Sequence, residues 1–90
     1  MQKALVSVTG VNRAGIIAKV STALYLLNVS ILDISQTILS GYFTMLMVVD
    51  IGQSEKNFTE ITADLDKVAK EMDIAIVLQR MDMFESMHRI

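Results

Sequence analysis

Few side chains in this sequence are equipped for chemistry. Its 90 residues include no cysteine and one histidine, which removes thiolate nucleophiles, disulfides and zinc–thiolate sites from consideration. That histidine, His88, stands near the C-terminus, and no carboxylate pair falls at helix spacing within a plausible cleft, so no general acid and base are brought together. Glu60 and Asp64 are four residues apart but share their segment with Lys67 and Lys70, and they read as a solvated helix face, not a metal site. Met81, Met83, Met87 and His88 are soft donors of the kind that binds copper(I). Such a methionine stripe is more often adaptable packing against a sheet or a partner. No catalytic residue, metal or cofactor is expected.

One run stands apart: Gly10-Val11-Asn12-Arg13-Ala14-Gly15-Ile16, where a strand pattern turns into a helical one. Unpaired N–H groups at a helix start carry partial positive charge and can receive a carboxylate. Asn12 is the expected N-cap. Gly15, placed in the first helical turn, costs about 1 kcal/mol relative to alanine. That cost leaves two roles open, close approach of a ligand or close packing of the helix on a strand.

The elements around this run follow from periodicity. Ala4, Val6 and Val8 alternate with Leu5, Ser7 and Thr9, which predicts a strand over Lys3 to Thr9. Ile16, Ile17, Val20, Ala23, Leu24 and Leu27 form one helical stripe that ends at Asn28. From Ser30 to Leu39, Leu32, Ile34 and Ile38 alternate with Asp33, Ser35 and Thr37, as in a strand with one buried face. Ser40-Gly41 then makes a two-residue turn into an apolar strand from Tyr42 to Asp50. Asn57 and Glu60 have the spacing of a capping box and open a second helix with Phe58, Ile61, Leu65, Val68 and Met72 inward. Asp66 with Lys70 and Lys67 with Glu71 are expected to pair on its outer side. A last strand runs from Ile74 to Met81, and a short tail over 82–90 is expected to bury Met83, Phe84 and Met87.

The order β-α-β-β-α-β predicts an α+β fold of the ferredoxin-like class, a four-stranded antiparallel sheet with two helices on one face, as a single domain over 1–90. A chain this short buries only about 60–65% of its unfolded surface. Its 52% hydrophobic content is high for a small monomer, which points to self-association. The net charge of −2 supplies no basic face for nucleic acid. The longest uncharged stretch, Ile34 to Val49, is interrupted by Ser35, Gln36, Ser40 and Gly41, so no membrane span is expected. The start of the sequence has no basic-then-apolar leader pattern, and a cytoplasmic location is expected.

Val8-Thr9-Gly10-Val11-Asn12-Arg13-Ala14-Gly15-Ile16-Ile17, followed by Val20, Leu24 and Asn28-Val29-Ser30-Ile31, resembles the opening of an ACT domain. Asp33-Ile34-Ser35-Gln36-Thr37 and the strand from Tyr42 to Asp50 continue the likeness, which covers nearly the whole chain and extends to small stand-alone ACT proteins. The resemblance implies a non-catalytic regulatory module, a homodimer or higher homo-oligomer, that binds an amino acid between the first loop of one copy and the second strand of another. The implied ligand-binding residues are Val11, Asn12, Arg13, Ala14, Gly15 and Ile16 with Asp33, Ile34, Ser35 and Gln36. Where the family often carries aspartate in the loop, this chain has Asn12, one charge fewer for a ligand ammonium group.

The fold places the second strand at an open edge, with no proline and one charge, Asp33. Two copies joined there across a two-fold axis would form an eight-stranded sheet, with each Asn12 loop near the other copy's Asp33 to Gln36. The rival expectation is an interaction module without a small ligand, acting through Tyr42, Met45 and Met47. A regulator resembling the ACT-containing repressor of glycine cleavage would have to work through protein contacts alone.

Overall fold

A computed structural model describes residues 1–81 of the chain. The elements run β1 (Lys3–Val11), α1 (Ile16–Leu26), β2 (Ser30–Leu39), β3 (Tyr42–Asp50), α2 (Phe58–Met72) and β4 (Ala75–Arg80). The strands form one antiparallel sheet in the order β2-β3-β1-β4, which leaves β2 and β4 at the edges. This is the expected βαββαβ ferredoxin-like fold. The expected tail residues Met83, Phe84 and Met87, and His88 with them, lie outside the described residues.

Strand alternation assigns the two faces of the sheet. Ala4, Val6 and Val8 of β1 and Phe43, Met45, Met47 and Val49 of β3 meet Ile16, Val20 and Leu24 of α1 and Ile61 and Leu65 of α2 in one buried cluster. The uniformly apolar letters of β3 therefore conceal a period of two, with Tyr42, Thr44 and Leu46 exposed on the other face. Met45 and Met47 have no exposed surface, so the interaction role expected for them is corrected: they are core, and only Tyr42 of that trio reaches solvent.

β2 departs from its pattern. All ten of its residues are exposed, where the alternation predicted one buried face, because the core cluster closes without any β2 residue. The pattern records a surface that no described residue covers. A bulge between Ile31 and Asp33 also leaves Leu32 without a partner on β3 and bends the strand at that point. The turn to β3 is as expected: Ser40 and Gly41 both have positive φ, 52° and 81°, the type I′ geometry whose twist matches a two-residue hairpin.

The two helices begin differently. Asn57 accepts a hydrogen bond from the Glu60 amide at 2.9 Å, and Glu60 Oε1 accepts one from the Asn57 amide at 3.0 Å, the reciprocal arrangement that its spacing predicted. Asn57→Ala is expected to lower stability by about 1 kcal/mol, read as a lower denaturant midpoint at unchanged slope. α1 has no side-chain cap at all.

The ion pairs are not the ones that helical spacing predicted. Instead of Asp66–Lys70 and Lys67–Glu71, the described pairs link separate segments: Lys19–Glu71 at 2.7 Å joins the two helices, and Lys56–Asp64 at 2.6 Å ties the loop before α2 to its second turn. Cross-element partners lay within reach once the helices packed side by side. Asp50 Oδ1 accepts from the amides of Gly52 and Gln2, and those two donors hold its carboxyl below the ordinary carboxylate range.

Candidate functional site

The turn between β1 and α1 is fixed at both ends. The Asn12 amide donates to the Gly41 carbonyl at 2.8 Å, which pins the start of the turn to the β2–β3 hairpin. The Arg13 guanidinium lies 3.4 Å from Asp73 beyond the end of α2. That pair is exposed and contributes at most about 1 kcal/mol.

Gly15, not Asn12, is the N-cap of α1, and its φ is +87°. This corrects the placement of Asn12 and, of the two roles considered for Gly15, the close packing of the helix on a strand. A Cβ built on Gly15 meets nothing within 4 Å, so the glycine is not making room for a packed strand. It is required by a left-handed backbone that other residues rarely adopt. The consequence is chemical: the chain enters the helix without a side chain over its first turn, and the amides of Ile16, Ile17 and Ala18 start α1 with no side-chain acceptor. The Gly15 carbonyl accepts from the Lys19 amide at 2.9 Å, so helical bonding begins at once.

This uncapped end opens into a cavity of about 390 Å³. Asn12, Arg13 and Gly15 form its rim, Ile16, Ile17 and Ala18 one wall, and Gln36 and Ile38 of β2 the other, with Phe43 between them. Five of the expected site residues thus share one groove: Asn12, Arg13, Gly15, Ile16 and Gln36. The other five do not line it. Val11 falls on the face of the sheet away from the helices, as do Asp33 and Ser35 by alternation, and Ile34 lies farther along β2. Sequence reasoning missed Ile17, Ala18, Ile38 and Phe43. Two of these were within reach of it, since Ile38 is two residues beyond Gln36 on the same face and pairs with Phe43 across the hairpin.

β2 contributes more than side chains. In a two-residue hairpin the flanking residues, here Leu39 and Tyr42, exchange backbone hydrogen bonds. Alternation then turns the amides of Thr37 and Ser35 toward β3, and those of Ile38, Gln36 and Ile34 outward along the free edge. The Ile34 amide confirms the direction, because it donates to its neighbour Asp33 Oδ1 at 2.8 Å and not to β3. Gln36 and Ile38 thus border the groove and carry outward-facing edge amides.

Comparison with known proteins agrees with this architecture. A UPF0237 protein of Bifidobacterium longum is 43% identical over 90 residues, the full length of both chains. Among solved structures, an ACT domain protein from Streptococcus pneumoniae superimposes with a TM-score of 0.82 at 34% identity, covering 93% of this chain and 94% of that one. The regulatory subunit of aspartate kinase from Thermus thermophilus shares the fold with a TM-score of 0.68 at 22% identity, covering 87% of this chain and 51% of that one. The ACT domain family model matches residues 2–79. With the strand order, the glycine-led first helix and nearly the whole described chain inside that match, this protein belongs to the ACT domain family.

Proposed function

We propose that the chain is a non-catalytic regulatory module whose homodimer, joined through the β2 edges, binds an amino acid or a similar small carboxylate in the groove beside α1. The observation that carries this reading is the junction of two incomplete structures. A helix start without a side-chain cap opens into a groove whose far wall is an edge strand with outward amides. The helix end suits a ligand carboxylate. The free edge suits a second copy, whose approach would enclose the groove from the solvent side. The Asn12 and Gln36 side chains offer both donors and acceptors to a ligand ammonium or side chain. That a regulatory subunit of aspartate kinase is built on the same fold supports a role in which the ligand state is passed to another protein.

The test is a thermal-shift screen against the twenty amino acids. A ligand present at one hundred times its dissociation constant is expected to add about 2.7 kcal/mol to stability, which raises Tm by roughly 10–20 °C in a domain of this size. A flat screen across all twenty would remove the amino-acid reading.

A further inference from the structure

The face of the sheet away from the helices is covered at Leu5, which is buried, but the part of it toward the β2–β3 hairpin is open, and the chemistry of that open part lacks charge. Three cross-strand rows make up its open half: Val11, Tyr42 and Leu39; then Ala75, Thr9, Thr44 and Thr37; then Val77, Ser7, Leu46 and Ser35. Antiparallel sheets that face water normally set polar side chains against the solvent, and here the polar groups are hydroxyls alone. None of these residues is charged, while Leu39, Tyr42 and Val77 are each more than half exposed and Leu46 is 44% exposed. A surface of aliphatic, aromatic and hydroxyl groups without charge can be buried against a copy of itself, because no ion has to be stripped of water.

Size decides how that burial can occur. Four strands at roughly 4.8 Å spacing and three rows along them cover about 19 by 20 Å, on the order of 400 Å². A stable interface needs roughly 800 Å² per partner, so two single protomers pressed face to face fall short. Edge pairing changes the sum. A two-fold axis normal to the sheet keeps both helix layers on one side and both open faces on the other, which doubles the face to about 800 Å².

We infer that this open face is a second self-association surface, on which two edge-paired dimers stack sheet to sheet into a tetramer. The inference rests on the edge dimer proposed above and goes beyond it, because the stacked face lies on the opposite side of the sheet from the ligand groove.

Sedimentation velocity of the full chain over a wide concentration range tests it, with Leu46→Arg and Val77→Arg as face variants. The wild type is expected to sediment as a tetramer that dissociates to dimers on dilution. Each face variant is expected to raise the tetramer dissociation constant at least a hundredfold and leave the dimer and its Tm intact. A wild type that stays dimeric at the highest concentration, or a tetramer indifferent to both substitutions, overturns face stacking and leaves the edge dimer standing. A wild-type monomer overturns both. A wild-type dimer that Leu46→Arg splits to monomers assigns the dimer to the face and also overturns the stacking. A drop in Tm without any change in mass assigns the face to the chain's own residues 82–90 and overturns it as well.

Discussion

Gly15→Val is expected to cost about 1–3 kcal/mol of stability and to abolish the ligand-induced thermal shift. The cost is conformational. A non-glycine residue held at positive φ is destabilised by roughly that amount, most severely when its side chain branches at Cβ, and Gly15 sits at +87°. Overpacking contributes nothing to this figure, since the space where a Cβ would stand is empty. This distinguishes the site from Gly10, where an added Cβ would approach Ile74 Cγ2 to 2.8 Å. Replacements of Gly15 by asparagine, alanine and valine should therefore rank by tolerance of the left-handed region and not by volume. Gly15→Asn should be the mildest, because asparagine visits that region most readily. The ligand response should fail in Gly15→Val for a second reason. Relaxing φ to an ordinary value redirects the amides of the first turn that open into the groove. Urea unfolding of the three variants, followed by the amino-acid screen, reads both effects. A valine variant as stable as the wild type would sink the argument from φ, and a full ligand shift in that variant would remove the helix start from the site.

Ile38→Pro is expected to convert the proposed edge dimer to a folded monomer, with a loss of self-affinity of at least a hundredfold. Proline has no N–H, and in an antiparallel sheet it is tolerated only where the amide faces away from the ladder. The Ile38 amide does so, and Thr37 before it is already extended, as proline requires of its predecessor. The substitution therefore removes one edge hydrogen bond without breaking a bond to β3. Ile38→Val, which keeps the amide and most of the apolar surface, should leave the dimer unchanged. Sedimentation decides the state and far-ultraviolet circular dichroism checks that the monomer is folded. A dimer that survives the proline would place the interface somewhere other than the β2 edge, and the enclosure of the groove by a second copy would go with it.

The architecture was legible because it rests on local periodicity. The alternation of Ala4, Val6 and Val8, the stripe through Ile16, Val20 and Leu24, and the Asn57–Glu60 box each survive unchanged in the structure. Three things were not legible, for distinct physical reasons. The burial of β2 could not be read from its alternation, because the same pattern serves a strand under a helix and a strand awaiting a partner. The role of Gly15 could not be read from its place in the run, because a glycine chosen for φ and a glycine chosen for space look alike until the backbone angle is known. The ion pairs could not be read from i, i+4 spacing, because Lys19 and Glu71 become neighbours only through the packing of α1 on α2. The groove was half legible: the turn was visible as a motif, but Ile38 and Phe43 enter it through hairpin register.

The two edges of the sheet differ in length, and that asymmetry bears on whether the proposed edge pairing would close or polymerise. A chain with two matching free edges can add copies head to tail, one edge to the other, without ever closing. Here β2 offers ten residues and β4 only six, so a β2–β4 contact would strand several backbone groups of β2 unpaired. A β2–β2 contact matches its own length and closes on itself. The bulge near Leu32 and the Asp33 carboxylate on the Ile34 amide further blunt one end of β2 against sliding by a residue or two. Uneven edges thus favour a finite assembly over a filament, and a variant that straightened β2 or lengthened β4 would be the one to watch for fibrils.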